Sequence, residues 1–136
     1  MIFVADENFT VLGVRLLEAF DPQNEIRHLT NSFPKGTPDT TWIPSLGERD
    51  PKPIIIGGDG RILKNKAECA ALRQADLSFV YLTSGWTNLE WSVFAWKIIK
   101  VWPDVVRNVE TAMRPTVYEV GPGNLKVKRI GETARL

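Results

Sequence analysis

The chain begins with a short apolar run that ends directly in two acidic residues. Residues 2–5 are apolar, Asp6 and Glu7 follow, and an amphipathic helical pattern starts after Asn8. Such an uninterrupted run is typical of a strand buried on both faces, as in a parallel sheet flanked by helices. Asp6 then lies at the carboxyl edge of the sheet, where ligands bind in open α/β folds.

A second apolar run has the same form and is the strongest strand signal in the chain. Ile54, Ile55 and Ile56 are β-branched, and Gly57-Gly58-Asp59-Gly60 follows them. From periodicity alone, Asp59-Gly60 also suits the turn of a hairpin, in which case Asp59 has only a structural role. In a parallel sheet, Asp59 lies at the same edge as the acid after the first strand.

A third acid can reach that edge from the segment between the two runs. Residues 25–29 alternate and predict a short strand near the edge of the sheet, and the loop after it ends at Asp39. Asp39 is a natural N-cap for a short helix, which Pro44 limits to its first turns, and a cap alone would explain it. In the parallel arrangement, however, Asp6, Asp39 and Asp59 converge.

The remaining segments continue the alternation of strands and helices. The patterns predict a helix that is capped by Asn8 or Thr10 and ends at Asp21-Pro22, a helix over residues 66–74 and a strand over 77–82. A further helix is predicted from 87 to about 101, because Thr87 and Glu90 have the spacing of a capping box and Trp86 and Trp91 that of a hydrophobic staple. A helix from Pro103 to about 113 and strands over 116–120 and 125–130 complete the chain. The helix after residue 87 is apolar around its circumference, so it is buried or carries a dimer interface.

This order predicts an α/β fold with a mostly parallel central sheet, helices on both faces and a C-terminal hairpin. The 136 residues suffice for one sizeable core. We expect a single domain over residues 1–130, followed by a C-terminal tail over residues 131–136.

Convergence of the three carboxylates has an electrostatic consequence. At about 5 Å and an effective dielectric constant of about 20, each pair repels by about 3 kcal/mol, so the arrangement needs a compensating cation. Mg²⁺ and Mn²⁺ prefer oxygen ligands and often retain water. The pattern therefore predicts a metal-assisted site for phosphodiester hydrolysis.

The composition limits how the chain could bind nucleic acid and argues against disulfides and membrane association. A net charge of +1 provides no global field for a polyanion, so nucleic-acid binding depends on metal ions or a local basic patch. The single cysteine, Cys69, excludes an internal disulfide and fits the cytoplasm. We interpret Cys69 as a core residue and His28, the single histidine, as structural. No apolar run approaches the ~20 residues that cross a bilayer, so no membrane association is expected.

Polar residues around the predicted edge are candidates for substrate binding. Arg61, Lys64 and Lys66 follow Asp59 and can hold a phosphate backbone, although a solvated basic turn explains them equally well. Thr83 and Ser84 end the fourth strand at the same edge. Asn8 is a further candidate, either as a cap or near metal-bound water.

Three motifs together resemble a known family. They are Asp6-Glu7-Asn8, then Gly36-Thr37-Pro38-Asp39 with Trp42-Ile43, and residues 54–59 followed by Ile62. With these motifs the chain resembles the small PIN-like domains related to VapC toxin ribonucleases, and residues 86–120 are also similar to one branch of that group.

The resemblance implies a three-layer PIN-type fold and a Mg²⁺- or Mn²⁺-dependent endoribonuclease, usually a toxin neutralised by a cognate antitoxin. It assigns metal binding to Asp6, Asp39 and Asp59, with metal-activated water attacking the RNA phosphodiester. The chain departs from the pattern at Gly58, where many PIN domains have Thr or Ser. Four-acid versions also carry a glutamate in a middle helix and a late fourth acid; Glu7 and Asp76 are the candidates here.

Two other classes of function remain open from the sequence. A receiver-like phosphoacceptor also has acids after strands one and three, but the lysine expected after a fifth central strand is missing. A catalytically inactive PIN-like module would bind RNA or protein without metal-dependent turnover, and its apolar helix after residue 87 would serve the partner.

Overall fold

A computed structural model describes residues 1–136 as a six-stranded sheet between two layers of helices. The strands are β1 Ile2–Ala5, β2 Glu25–His28, β3 Ile54–Gly57, β4 Phe79–Leu82, β5 Thr116–Val120 and β6 Val127–Glu132. The helices are α1 Val11–Phe20, α2 Asp39–Gly47, α3 Arg61–Lys64, α4 Lys66–Ala75 and α5 Trp91–Thr111. Short 3₁₀ turns cover Leu29–Asn31, Ser84–Asn88 and Thr133–Arg135.

The strands lie in the order β2-β1-β3-β4-β5-β6. All neighbouring pairs from β2 to β5 are parallel, and β6 pairs antiparallel with β5 to form the C-terminal hairpin. The predicted fold class is therefore confirmed. β2, which follows β1 in the chain, lies on one side of β1, and β3 lies on its other side. The strand order therefore reverses between β1 and β3, and clefts form at such switch points in α/β folds.

Each face of the sheet has its own apolar core. On one face, α1 and α5 pack against inward residues such as Phe3, Ile56 and Tyr118. On the other face, α2, α3 and α4 cover Val4, Ile55 and other residues of alternate register. Since β1 and β3 are buried on both faces, their continuous apolar runs have the expected physical cause.

Local signals describe the first part of the chain well. Thr10 caps α1, its hydroxyl accepting a hydrogen bond from the Gly13 N–H at 2.9 Å. Asp59-Gly60 does not form a hairpin turn, because β3 pairs in parallel with β1 and β4 and leads into α3. The predicted limit at Pro44 is wrong, since α2 continues through it to Gly47.

The predictions for the helix after β4 need correction. Thr87 and Glu90 form no capping box: residues 84–88 make a 3₁₀ turn in which the Thr87 hydroxyl donates to the Ser84 carbonyl, and α5 begins at Trp91. Nor does a new helix begin at Pro103, which lies inside the single helix α5. Burial of Ile98, Val101, Trp102 and Val105 against the sheet holds the helix together on both sides of the proline.

The residues predicted to form a C-terminal tail are instead part of the packed structure. Residues 131 and 132 complete β6, and the following 3₁₀ turn contains Thr133, which is 0% exposed. The Thr133 hydroxyl donates to the Leu77 carbonyl at 2.8 Å, so the end of the chain is fastened to the start of β4.

Candidate functional site: an acidic cleft at the sheet edge

Two of the predicted acids directly follow the strands that flank the switch point. Asp6 comes after β1 and Asp59 lies two residues after β3. The backbone N–H of Asp6 donates to the Ile56 carbonyl at 2.9 Å, so the β1–β3 pairing continues to the acid itself. The first residue of α2, Asp39, approaches from the helical layer, and its carboxyl lies beside that of Asp59.

Asp6 is the most deeply buried of these acids, at 3% exposure. Its Oδ1 accepts from the Asn8 N–H at 3.0 Å, whereas its Oδ2 is buried without a hydrogen-bond partner. Burial raises the pKa of Asp6 to about 7, against the effect of backbone N–H groups that favour the carboxylate. Asp6 packs so closely on β3 that a Cβ at Gly57 would lie 1.9 Å from its Oδ2.

Asp39 has a side-chain partner of its own but does not cap its helix. Its Oδ1 accepts from the Trp42 indole N–H at 2.8 Å, and the N-cap of α2 is Pro38. Its Oδ2 is buried and unpartnered. Burial, and next the adjacent carboxyl of Asp59, raise the pKa of Asp39 to about 6. The expectation that Asp39 is an N-cap is therefore wrong, and its carboxyl faces the other acids.

Asp59 is neutralised by an arginine within its own turn. Arg61 donates from Nε to Oδ1 at 3.0 Å and from Nη2 to Oδ2 at 2.9 Å. Burial acts to raise the pKa of Asp59, but these hydrogen bonds outweigh it and the pKa lies below its ordinary value. The Arg61 side chain is 76% exposed, so it can leave this position without disturbing a core.

Asp39 and Asp59 open into a polar cleft of about 330 Å³, whereas the buried Asp6 is not among the residues that line it. Glu7, Asn8, Arg61 and Glu68 also line it, together with residues of α2 and of the loop before α2. The Gly36 N–H donates to Glu7 Oε1 at 2.7 Å, which ties that loop to the end of β1. We call this space the acidic cleft.

Glu68 is the residue that the sequence analysis did not find. It lies in the first turn of α4, its Oε2 is buried without a partner, and its charge raises the pKa of Asp39. The sequence signal was an acid three residues after Asn65, the N-cap of α4. An acid in a first helical turn is also explained by the helix dipole, so that signal is ambiguous. Of the acids considered instead, Glu7 lines the cleft, and Asp76 is the C-cap at the far end of α4.

Only some of the predicted substrate-binding residues line the acidic cleft. Asn8 and Arg61 do, whereas Lys64, Lys66, Thr83 and Ser84 do not. Lys64 and Lys66 are exposed at the end of α3 and the start of α4. Thr83 and Ser84 belong to the segment after β4, one strand further from the switch point.

The donors around the cleft suit a hard divalent cation. Asp6 Oδ2, Asp39 Oδ2 and Glu68 Oε2 are buried carboxylate oxygens with no hydrogen-bond donor, and such oxygens are what Mg²⁺ and Mn²⁺ prefer. As the side chains stand, no three of them are grouped closely enough to hold one ion, and Asp59 is engaged by Arg61. The carboxylate oxygens are chemically suited to bind a divalent cation. Asp59 can take part in binding it only when Arg61 releases the Asp59 carboxylate.

The comparison with known proteins agrees with this architecture. A family model described as PIN like domain matches residues 1–84, which span β1 to β4 and contain all three predicted acids and Glu68. The chain belongs to this family and has its nuclease-type fold. No curated protein and no solved structure matches the chain. The match ends at Ser84, so it does not test the resemblance proposed for residues 86–120.

None of the helices combines the length and the apolar character that a membrane crossing requires.

Proposed function

We propose that the protein is a metal-dependent endoribonuclease related to VapC, and the toxin of a toxin–antitoxin pair acting in the cytoplasm. Its site is the acidic cleft, with Asp6, Asp39 and Asp59 as ligands of Mg²⁺ or Mn²⁺ and Glu68 as a fourth acid. RNA is the substrate and a cognate antitoxin protein the partner.

One observation carries this proposal: buried carboxylate oxygens of Asp6, Asp39 and Glu68 lack any hydrogen-bond donor at the switch point of a PIN-like sheet. A buried polar atom without a partner is destabilising by about 1–3 kcal/mol, and more when it is charged. A positively charged ligand in the acidic cleft, which Asp39 and Glu68 line and beside which Asp6 is buried next to Glu7, would satisfy such atoms, whereas the stability of the fold does not explain them.

The residues of the chain have separate roles in this proposal. Asp6 and Asp39 offer free oxygens, and Asp59 becomes available when Arg61 turns outward. The released guanidinium of Arg61 then stands at the mouth of the cleft and can hold a phosphate of the RNA backbone in a bidentate contact. A bound divalent cation would supply Lewis-acid stabilisation of the developing phosphate charge.

A second candidate, the inactive binding module, is favoured by one observation. Arg61 already neutralises Asp59 within the chain, and the carboxylates are not grouped around a common point. The Arg61 guanidinium can permanently take the place of a metal ion beside Asp59. In that case the cleft binds RNA or protein without cutting it.

Cleavage of a structured RNA pool separates the two candidates. Purified protein is incubated with Mn²⁺, with Mg²⁺ or with EDTA, and products are resolved on a denaturing gel. We expect cutting with either metal, none with EDTA, and loss of cutting in Asp6→Asn, Asp39→Asn and Asp59→Asn. The control is Asp76→Asn, which alters an acid outside the cleft at a left-handed position (φ 52°) that asparagine accepts.

The result that contradicts the nuclease is full activity in Asp59→Asn with an unchanged circular dichroism spectrum, or cutting that persists in EDTA. Absence of cutting together with tight Mn²⁺ binding in calorimetry points to a missing RNA target. Absence of both supports the inactive module.

The toxin role has its own test. Induced expression in a bacterial host is expected to arrest growth with the wild-type chain and with Asp76→Asn, but not with Asp59→Asn. Equal growth of wild type and Asp59→Asn at equal protein levels would contradict a toxin that acts through this site.

A further inference from the structure

A second cleft, of about 290 Å³, adjoins the acidic cleft and is lined mainly by aromatic and aliphatic side chains. We call it the aromatic cleft. Its walls are Phe9, Leu12, Trp86, Leu89, Trp91 and Phe94. Asn8 lines both clefts, and Gly58, the neighbour of Asp59, lines the aromatic one. The two clefts therefore lie next to each other at the ends of β1 and β3.

The walls of the aromatic cleft are held in place by the core. The Trp86 indole N–H donates to the Val120 carbonyl at 2.9 Å. Phe94 packs edge-on against Trp86 at a centroid distance of 5.7 Å and against Phe9 at 5.6 Å. Because these rings are fixed before any ligand arrives, the cleft binds without the entropic cost of ordering them.

Trp91 completes the cleft at the protein surface. Its ring stacks on Phe94 at 5.8 Å with an interplanar angle of 21°, yet 44% of the residue is exposed. Trp96 of the same helix is also exposed, but Trp91 differs from it because the Trp91 ring forms part of a cleft. A planar ligand that inserts beside Trp91 would bury this surface and stack on it.

The chemistry of the lining selects an uncharged group with polar edges. No charged side chain lines the aromatic cleft, so a phosphate has no partner in it. Asn8, Thr10 and Thr87 place an amide and two hydroxyls among the apolar walls, and these can hydrogen-bond the edge of a heterocycle. The adjoining acidic cleft, with Arg61 at its mouth, is where the charged backbone of the same ligand would lie.

We propose that the aromatic cleft binds an unstacked nucleobase of single-stranded RNA, adjacent to the phosphodiester held in the acidic cleft. This inference rests on the proposed nuclease function and adds to it a base-binding site formed by the aromatic cleft. Bases within a duplex are stacked and paired, and cannot enter such a cleft. The site therefore prefers single strands, loops or bulges.

The test compares two tryptophans of the same helix. Trp91→Ala removes a wall of the cleft, and Trp96→Ala removes an indole that is 55% exposed but lines neither cleft. Fluorescence anisotropy measures binding of a labelled eight-nucleotide single-stranded RNA and of an abasic oligomer with the same backbone. Ca²⁺, which accepts carboxylate ligands, is present, and a gel verifies that the RNA stays intact.

The wild-type protein and Trp96→Ala are expected to bind the base-containing RNA more tightly than the abasic oligomer. Trp91→Ala is expected to weaken binding of the RNA by about 5- to 150-fold, the range for loss of one stacked base, without changing binding of the abasic oligomer. Leu12→Ala, at an exposed position of the cleft, should weaken the same binding to a smaller extent.

Three results would overturn the inference. They are equal RNA binding by the two tryptophan variants, equal wild-type binding of the base-containing and abasic oligomers, and a change in sedimentation mass in Trp91→Ala with RNA binding unaltered, which would identify a protein interface. Failure of the proposed function would give a different result. If RNA binding depends on the base and on Trp91 but no RNA is cut in Mn²⁺ or Mg²⁺, the base-binding inference stands and the nuclease proposal is contradicted.

Discussion

Asp6 is a carboxyl group for which folding favours the protonated form. It is almost completely buried, its Oδ2 has no donor, and its pKa is raised from an ordinary 3.8 to about 7. Between these values the folded chain holds a proton that the unfolded chain has released. The free energy of unfolding therefore decreases as the pH rises from about 4 to about 7.

Asp6→Asn should remove the part of this pH dependence that Asp6 causes. A pKa rise from 3.8 to about 7 corresponds to a loss of about 4 kcal/mol of stability across that interval in the metal-free wild type. The measurement is urea unfolding in EDTA from pH 4 to pH 8 for wild type, Asp6→Asn and the control Asp76→Asn. In all three proteins Asp39, whose pKa is raised, contributes in the same direction, and Asp59, whose pKa is lowered, in the opposite direction. The difference between wild type and Asp6→Asn therefore isolates Asp6. If the free energy of unfolding depends on pH in the same way in wild type and Asp6→Asn, the pKa of Asp6 is not raised in the folded state.

Arg61 competes with any cation for Asp59. Because its guanidinium donates to both oxygens of that carboxylate, Arg61→Gln should strengthen Mn²⁺ binding several-fold while it weakens RNA binding. The matched control is Lys64→Gln, which removes a positive charge from an exposed residue of α3 outside the cleft. Calorimetry with Mn²⁺ gives the affinities. If both variants bind Mn²⁺ as the wild type does, Arg61 does not occupy the metal position.

At the scale of the elements, the end of β3 sets the space that the acids occupy. Gly57→Ala would place a Cβ 1.9 Å from Asp6 Oδ2, whereas at Gly58 the nearest atoms to a Cβ are 3.5 and 3.6 Å away. We expect Gly57→Ala to reduce the free energy of unfolding by about 1–3 kcal/mol, the usual cost of overpacking, and Gly58→Ala to change it far less. Urea denaturation of the two variants decides this. Equal stability of the two would mean that Asp6 can move away from β3.

The same two strands explain why much of the site could be predicted from the sequence. The runs in β1 and β3 are apolar at every position because both faces are buried, and the acids that follow them share an edge for topological reasons alone. Glu68 was not predictable in this way. Its place in the cleft depends on how α4 packs against α2, which no local spacing in the sequence encodes.

The start of α5 shows where local signals fail. Thr87 and Glu90 have the spacing of a capping box, but burial of Trp86 and its hydrogen bond to Val120 keep residues 84–88 in a 3₁₀ turn. Pro103 has the signal of a first helical residue, but packing of its buried neighbours on the sheet continues the helix through it. In both cases long-range burial outweighs a preference worth about 1–3 kcal/mol.

Across the whole molecule, the two clefts draw on different parts of the chain. Every acid of the acidic cleft lies within the PIN-like match over residues 1–84. The aromatic cleft depends also on Trp86, Leu89, Trp91 and Phe94, which lie beyond that match. The proposed metal site thus lies wholly within the matched residues, whereas the proposed base-binding site combines matched residues with residues beyond the match.

Stability of the whole molecule should report metal binding without any RNA. Protons and a divalent cation compete for Asp6 and Asp39, whose pKa values are raised to about 7 and about 6. Mn²⁺ should therefore raise the melting temperature at pH 8 and have little effect at pH 5. At a concentration of 100 times Kd the gain is about 2.7 kcal/mol, which corresponds to a rise of about 5–20 °C in the melting temperature for a domain of this size.

Differential scanning fluorimetry at both pH values, with Mn²⁺ and then with excess EDTA, provides the measurement. The shift should disappear in EDTA, persist in Asp76→Asn and be reduced in Asp59→Asn, because the cation then loses a carboxylate ligand. An equal shift at pH 5 and pH 8, or an undiminished shift in Asp59→Asn, would place the bound Mn²⁺ elsewhere on the protein. The pH dependence ties the effect to the two acids with raised pKa values, since surface carboxylates are already ionised at pH 5.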